Sequence, residues 1–169
     1  ALFPHYAKQI SNLKHSKFIQ VSTDCVFDGH DGNYKETSIA NAKDLYGQSK
    51  ALGEIKDKIN LTVRTSTIGR ELLTKHGLLE WFLAQKSCHG YTKAIFNGYP
   101  TFYFAVILES LIINNITGLV NISGTKIDKY TLLKKIKKIY KKKIAIKKNK
   151  TVKINRSLDN KLLKKYFPK

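Results

Sequence analysis

Short blocks of apolar residues alternate with polar ones along the chain, and their spacing predicts both strands and helices. Three blocks have strand composition, at 18–22, 60–65 and 119–123, and a shorter one follows at 144–146. Between them, apolar residues recur at helical spacing. The predicted helices cover 3–14, 77–86, 101–114 and 130–143, with one more beginning near Leu45 and another after Asp159. Residues 28–43 and 87–100 are rich in turn formers and predict loops. This alternation of strands and helices is typical of an α/β fold.

The side chains with the clearest chemistry end the first predicted strand and begin the next helix. Thr23 stands at the carboxyl end of the strand, where open α/β sheets bind ligands. Tyr46 and Lys50 are four residues apart, so on a helix they share one face. An ammonium beside a phenol favours the phenolate, which makes the phenol a better proton donor, and the Thr23 hydroxyl would hold a substrate carbonyl. A bare Tyr-x-x-x-Lys is also common as a surface pair, so the surrounding sequence decides between these interpretations.

Three longer motif strings surround these residues. They are Val21-Ser-Thr-Asp-Cys-Val-Phe-Asp-Gly29, Tyr34-Lys-Glu-Thr37 and Leu45-Tyr-Gly-Gln-Ser-Lys-Ala-Leu-Gly-Glu54. Together they resemble the extended short-chain dehydrogenase/reductases, specifically the dTDP-4-dehydrorhamnose reductase branch of nucleotide-sugar reductases. The resemblance continues through Val63-Arg-Thr-Ser-Thr-Ile-Gly69 and, more weakly, to residues 118–124. It covers most of the chain and is dense over residues 18–70.

The resemblance implies a partial Rossmann-type, doubly wound parallel sheet plus a small α/β substrate-binding region. Residues 1–70 would be the C-terminal half of the dinucleotide-binding domain. Residues 71–169 would be mostly the substrate-binding region, with the helix and strand at 101–124 packing back on the sheet. Family members begin with a glycine-rich turn that holds the cofactor pyrophosphate, and none of the ten glycines here forms G-x-G-x-x-G. We therefore expect residues 1–169 to be the C-terminal part of a longer protein and, alone, to bind no nicotinamide dinucleotide and be inactive.

The implied reaction is reduction, by NADPH or NADH, of the 4-keto group of a deoxy-sugar attached to a nucleoside diphosphate. It would take place in the cytoplasm and supply sugars for surface polysaccharide. The resemblance implies catalytic roles for Thr23, Tyr46 and Lys50, cofactor-binding roles for Ser22, Tyr46, Lys50 and Arg64, and substrate-binding roles for Thr23, Asp24, Val26, Phe27 and Asn97. For Arg64 an alternative of equal weight is that it caps a helix or pairs with Glu71. No metal site is predicted, with Mg²⁺ the one ion left open, and a homodimer is also left open.

The charge distribution and the family itself leave three alternative functions. Residues 125–169 hold 18 Lys and Arg against two Asp and Glu, out of a net charge of +19, and such segments are typical of nucleic-acid or membrane binding. Lysine outnumbers arginine 28 to 3, whereas readers of nucleic acid favour arginine, so a nucleic-acid partner is not expected. The other two alternatives are a nucleotide-sugar epimerase or dehydratase and a non-catalytic family member. No apolar run approaches the ~18 residues of a membrane span, and the two cysteines predict neither a disulfide framework nor a metal site.

Overall fold

The computed structural model describes residues 2–167, and within that range helices and strands alternate as the sequence predicts. The helices are α1 (Phe3–Leu13), α2 (Leu45–Leu52), α3 (Leu78–Ala84), α4 (Thr101–Ile113), α5 (Lys129–Ile139) and α6 (Lys161–Tyr166). The strands are β1 (Ile19–Thr23), β2 (Leu61–Thr65), β3 (Thr67–Ile68), β4 (Ser87–Phe96), β5 (Tyr99–Pro100), β6 (Gly118–Ile122), β7 (Ile127–Asp128) and β8 (Ala145–Asn155). A short 3₁₀ turn, Asp24–Val26, follows β1. The predicted mixed α/β fold class is confirmed.

The first sheet consists of three parallel strands in the order β1-β2-β6. In its register, Val21 pairs with Val63, which pairs with Val120. All five residues of the central strand β2 are buried, as expected where a parallel strand is covered on both faces. Thr23 pairs with Thr65 at the carboxyl ends of β1 and β2. This edge carries the site described below.

A compact apolar cluster holds the first sheet in place. Its buried members come from β2, α4, β6 and α6: Leu61, Val63, Leu111, Val120, Ile122 and Leu163. Burying a side chain of this size is worth about 1.5–3 kcal/mol. The helix and strand at 101–122 therefore share one core with β2.

Helix α1 is observed where its periodicity predicts it, but its apolar stripe faces solvent. None of its residues is buried, and Phe3 and Leu13 are each more than three-quarters exposed. The helix is fastened by polar contacts instead. Nε2 of His5 lies 2.9 Å from the carbonyl oxygen of Leu52, and Lys8 forms an ion pair with Asp57 at 2.9 Å.

The second sheet corrects two sequence-based predictions. It has the order β7-β4-β8, with β4 and β8 parallel along most of their length. The segment 87–100 was expected to be a loop, yet 87–96 is strand β4, and the strand expected at 144–146 extends to Asn155. Strand β4 contains polar residues and glycine, and β8 contains many lysines. The composition of these segments therefore does not indicate strands. Their pairing with each other supplies the backbone hydrogen bonds that local composition does not predict.

A second apolar cluster lies between this sheet and helices α3 and α5. Its buried members are Leu79, Phe82, Leu133, Ile136 and Ile144. Helix α5 is amphipathic as predicted, with buried Leu133 and Ile136 on one side and exposed lysines on the other. Among residues 2–167, no helix combines the length and the apolar character needed to cross a bilayer.

Candidate active site

Helix α2 is built to bring its first turn against the end of β1. Asp44 caps the helix as predicted, its Oδ1 accepting a hydrogen bond from the backbone N–H of Gly47 at 2.7 Å. A β-carbon on Gly47 would overlap the carbonyl oxygen of Cys25, so only glycine allows this close approach. The helix ends at Leu52, and the N–H of its C-cap residue Gly53 donates to the carbonyl oxygens of Ser49 and Lys50. The short helix therefore presents Tyr46 and Lys50 beside the turn that follows β1.

Thr23, Tyr46 and Lys50 line one open cleft of about 370 Å³ at the carboxyl edge of the first sheet. The Tyr46 side chain is exposed, at 57% of its full accessible surface. Lys50 is held more firmly, since its Nζ donates to the carbonyl oxygen of Val21 at 3.0 Å. The remaining lining residues include Ser66, Thr67 and Thr101. The structure thus brings together the three side chains for which the sequence predicts catalytic roles.

Thr23 and Asp24 form the floor of the cleft. The Thr23 hydroxyl accepts from the backbone N–H of Cys25 at 3.1 Å and donates to Oδ1 of Asp24 at 3.3 Å. Burial raises the pKa of Asp24, while hydrogen bonds from Cys25 and Thr23 and the charges of Arg156 and Lys129 act in the opposite direction. Burial also raises the pKa of the Cys25 thiol, with a further contribution from Asp24. This thiol is accordingly a poor nucleophile.

Arg64, predicted as a cofactor-binding residue, lies in the interior instead. Its side chain is fully buried, and its Nε and Nη2 donate to the two carboxylate oxygens of Glu54, each at 2.7 Å. The guanidinium carbon lies 4.9 Å from the ring centroid of Phe27. Arg64 pairs with Glu54 rather than with Glu71, which instead accepts hydrogen bonds from residues 74–77. Because Nε and Nη2 already donate to Glu54, the Arg64 guanidinium has a structural role.

Four other predicted site residues also lie away from the cleft or have their polar groups engaged. Val26 and Phe27 are fully buried, and the Phe27 ring stacks on Tyr34 with centroids 4.0 Å apart. Asn97 is buried and exchanges two hydrogen bonds with the backbone of Leu158. Ser22 borders the cleft, but its hydroxyl donates to Glu54 at 2.9 Å. The side chains of Val26, Phe27 and Asn97 are therefore buried and do not line the cleft, and the Ser22 hydroxyl is already engaged.

Sequence reasoning missed the contribution of a distant segment, residues 155–159, which we call the clasp. The backbone N–H of Tyr34 donates to Ser157 at 2.9 Å, and the N–H of Asp159 donates back to Tyr34 at 2.8 Å. The N–H of Asn33 donates to the Ser157 hydroxyl at 2.9 Å. These bonds fasten the loop after β1. At the end of the clasp, Oδ1 of Asp159 accepts a hydrogen bond from the N–H of Lys161 at 2.8 Å, and Asn160 is the N-cap residue of α6.

The clasp also brings Arg156 to the cleft. Its Nη1 donates to the Cys25 sulfur at 3.3 Å, and its Nη2 lies 3.5 Å from Oδ2 of Asp44. Arg156 and Lys129 line a small cavity of about 140 Å³ that shares Asp24, Cys25 and Ser66 with the cleft of Tyr46 and Lys50. The sequence does not single out Lys129 as a site residue, because it is one of many lysines in this half of the chain.

The fold and the cleft together define the class of the protein. It has a Rossmann-like α/β fold, and Thr, Tyr and Lys side chains lie at the carboxyl edge of its parallel sheet. Among family models, the RmlD substrate binding domain matches residues 4–74. No curated protein sequence matches the chain. The structure is similar to a hypothetical dTDP-4-dehydrorhamnose reductase from Sulfolobus tokodaii, with a TM-score of 0.83, 25% identity, and coverage of 98% of this chain and 63% of that one. The resemblance to dTDP-4-dehydrorhamnose reductases and related short-chain dehydrogenase/reductases is thereby confirmed.

Two further solved structures are similar in fold. One is the dTDP-4-dehydrorhamnose reductase of Bacillus anthracis in complex with NADP, with a TM-score of 0.79, 20% identity, and coverage of 93% of this chain and 62% of that one. The other is the UDP-N-acetylglucosamine 4-epimerase of Methanobrevibacter ruminantium in complex with UDP-N-acetylmuramic acid, with a TM-score of 0.78, 13% identity, and coverage of 98% and 61%. The chain therefore spans less than two thirds of the length of each of these structures.

Proposed function

We propose that the protein acts in the NAD(P)H-dependent reduction of the 4-keto group of a nucleoside-diphosphate deoxy-sugar. The observation that carries this proposal is the convergence of Thr23, Tyr46 and Lys50 on one open cleft at the carboxyl edge of the sheet. The family-model match to the RmlD substrate binding domain supports the substrate class. The similar reductase of Bacillus anthracis, in complex with NADP, supports a nicotinamide cofactor. The product would serve the synthesis of surface polysaccharide sugars in the cytoplasm.

Tyr46 is the proposed proton donor. When hydride reaches the carbonyl carbon, the oxygen becomes an alkoxide and takes the phenolic proton. Lys50 favours the resulting phenolate, since an ammonium stabilises a nearby negative charge. The bond from Lys50 to the Val21 carbonyl oxygen uses one of its three N–H groups. The other two have no partner among residues 2–167 and would hold a sugar hydroxyl.

Thr23 is the proposed carbonyl-orienting residue. Its hydroxyl proton is directed at Asp24 over 3.3 Å, which is long for a bond between two oxygens. A substrate carbonyl can therefore compete for this proton at little cost. The bond from the Cys25 N–H to the Thr23 oxygen stays in place and fixes the side chain.

We infer that the cleft holds the nicotinamide end of the dinucleotide. The half-buried Lys50 ammonium and the exposed Tyr46 phenol form one side of it, and Thr65, Ser66 and Thr67 offer hydroxyls on another. The cofactor would supply the hydride, and the residues of this chain would position it and supply the proton. Ser66 and Thr67 follow the carboxyl end of β2, the position at which such sheets meet their ligands.

The test is a steady-state assay of the protein expressed from its complete reading frame, with a thymidine-diphospho-4-keto-6-deoxy sugar and with NADPH or NADH. Tyr46→Phe is expected to lower the rate by about 10²–10⁴-fold, the usual contribution of a positioned proton donor, with cofactor affinity preserved. The matched control is Tyr6→Phe, because Tyr6 is also exposed but lies on α1, outside the cleft. A Tyr46→Phe variant within threefold of the wild type would refute the assignment.

The similarity to the epimerase of Methanobrevibacter ruminantium supports a second candidate function. An epimerase returns the hydride to its substrate and consumes no cofactor, whereas a reductase consumes one NAD(P)H per sugar. The same assay separates them. Sugar inversion without loss of absorbance at 340 nm would favour the epimerase.

A further inference from the structure

The lysines in the second half of α5 and in the turn after it surround one open pocket. They recur at spacings of three and four residues, which places side chains on one face of a helix. The pocket has a volume of about 430 Å³, within the roughly 300–1,000 Å³ of small-ligand sites. Its five lysines are Lys134, Lys137, Lys138, Lys141 and Lys142.

No carboxylate neutralises these ammonium groups. Among residues 2–167, no lysine from Lys126 to Lys165 forms an ion pair. The two acidic residues in this half of the chain are engaged elsewhere, since Asp128 caps α5 and Asp159 belongs to the clasp. Uncompensated charges of one sign repel each other. An anion in the pocket would therefore be attracted by five ammonium groups at once.

Several contacts hold the cations beside the pocket. The Nζ atoms of Lys134 and Lys148 lie 5.8 Å and 5.4 Å from the ring centroid of Tyr130, which also lines the pocket. Both distances are typical of cation–π pairs. The Nζ of Lys142 donates to the carbonyl oxygen of Leu83 at 2.6 Å. Because these side chains are already held, binding a ligand costs less conformational entropy.

The turn that ends α5 places a lysine where glycine is usual. The N–H of Lys142 donates to the carbonyl oxygen of Lys137 at 3.0 Å, and the N–H of Lys141 donates to that of Lys138 at 3.3 Å. This is the pattern of a Schellman motif. Lys141 has a φ of 50°, in the left-handed region that favours glycine. The residue is unfavourable for the backbone, and its side chain adds a fifth cation to the pocket.

We propose that this pocket binds a compact anion that carries several phosphates, either a free oligophosphate or a multiply phosphorylated lipid headgroup. The carbonyl end of α5 carries about half a negative charge, which five ammonium groups outweigh. Lysine binds phosphate as a point charge, so the site would select its ligand by charge and size. One closed group of cations fits a compact anion better than a nucleic-acid duplex, whose charges extend along its axis.

The pocket is separate from the cleft at the first sheet. It shares no lining residue with the cleft of Thr23, Tyr46 and Lys50. The proposal therefore does not depend on the proposed reductase function, and the two can be tested independently.

The test is a calorimetric titration of inorganic tripolyphosphate into the protein expressed from its complete reading frame. A buffer of about 0.15 M salt screens charges that lie more than about 8 Å apart. The pocket variant combines Lys134→Gln with Lys138→Gln. The control combines Lys161→Gln with Lys165→Gln, which removes the same charge from exposed positions four residues apart on α6. We expect about a tenfold or greater loss of affinity in the pocket variant and a change within about twofold in the control.

Lys141→Gly separates binding from stability. Glycine relieves the left-handed backbone conformation, so this variant is expected to melt at the same Tm as the wild type or higher. Its affinity for tripolyphosphate is expected to fall by about threefold or more. If the pocket variant does not give a cooperative thermal melt, Lys141→Gly carries the comparison with the control. Unchanged affinity in Lys141→Gly and in the pocket variant would overturn the site.

Two further probes identify the source of the phosphates and the competing partner. Phosphatidylcholine vesicles that contain phosphatidylinositol bisphosphate should bind through the same lysines if the ligand is a headgroup. Tripolyphosphate binding without vesicle binding would identify a free oligophosphate, and either result supports the site. No tripolyphosphate binding to the wild type, or an equal loss in the pocket variant and the control, would overturn it. A random DNA duplex that binds more tightly than tripolyphosphate and depends equally on both lysine pairs would also overturn it.

Discussion

Residues 45–54 contribute side chains to two pairs of polar or charged groups. One pair faces an open cleft, and the other is buried. Tyr46 and Lys50 face an open cleft, with the phenol more than half exposed. Glu54, only four residues after Lys50, is buried and pairs with Arg64 through two short hydrogen bonds. The buried carboxylate also accepts from Ser22, the residue before Thr23. One short segment thus contributes both to the open cleft and to the buried ion pair.

The difference shows that burial decides whether a charged side chain is available to a ligand or serves to stabilise the fold. The Lys50 ammonium and the Tyr46 phenol line an open cleft, where a ligand can reach them. The Arg64 guanidinium and the Glu54 carboxylate are buried and bind each other through two hydrogen bonds, because an unpaired buried charge is costly. The spacing along the chain does not distinguish these cases, since all four side chains lie at or near the carboxyl edge of the same sheet. The contrast leads to three predictions about stability.

The largest expected effect is on the buried pair. Glu54→Ala leaves the Arg64 charge buried without its partner and is expected to lower the free energy of unfolding by about 3–5 kcal/mol. Urea unfolding followed by circular dichroism measures the change. Glu109→Ala, which removes an exposed carboxylate from α4, is the control and should stay within about 0.5 kcal/mol. A loss of less than 1 kcal/mol for Glu54→Ala would show that water reaches Arg64.

Asp57 is an intermediate case, with a partly exposed carboxylate. Burial would raise its pKa, but hydrogen bonds from Asn60, Lys8 and Ile59 outweigh it and lower the pKa well below 3.8. A lowered folded-state pKa adds stability that is present above the unfolded value and is lost as the pH falls. Asp57→Asn is therefore expected to cost about 1 kcal/mol at pH 7, with the difference from the wild type shrinking below about pH 4.

Urea unfolding at a series of pH values tests this expectation. Asp31→Asn is the control, because the Asp31 side chain is largely exposed and should give a small difference throughout. A pH-independent cost for Asp57→Asn would mean that the carboxylate charge contributes nothing to stability.

The smallest expected effect on stability belongs to Lys50, in the pair that lines the cleft. Lys50→Ala removes one bond to the Val21 carbonyl oxygen and should change the free energy of unfolding by no more than about 0.5 kcal/mol. The same change should lower both the reduction rate and the affinity for the nicotinamide cofactor. Lys58→Ala, an exposed lysine outside the cleft, should leave all three quantities unchanged. A stability loss above 2 kcal/mol would make Lys50 a structural residue like Arg64.

The sequence predicts that Thr23, Tyr46 and Lys50 meet in one place, because the determinants of their arrangement are local. A strand end and an i, i+4 pair on a capped helix are enough to bring Thr23, Tyr46 and Lys50 together. Arg64 could not be assigned in the same way, because strand periodicity does not reveal that its partner is Glu54, located beyond the end of the preceding helix. Strands β4 and β8 were underestimated for a related reason. Neither segment has a composition that indicates a strand. Each becomes a strand because it pairs with the other, more than fifty residues away in the sequence.

The clasp has a consequence for the order in which the site assembles. Thr23, Tyr46 and Lys50 are close in sequence, so their arrangement can form as soon as β1, α2 and β2 associate. The bond between Asn33 and Ser157 joins residues 124 positions apart. Closing a loop of that size adds little to the equilibrium cost, which grows only logarithmically with length, but contacts between distant residues slow folding. We therefore expect the contacts of the clasp, including those of Arg156, to form later in folding than the contacts among β1, α2 and β2.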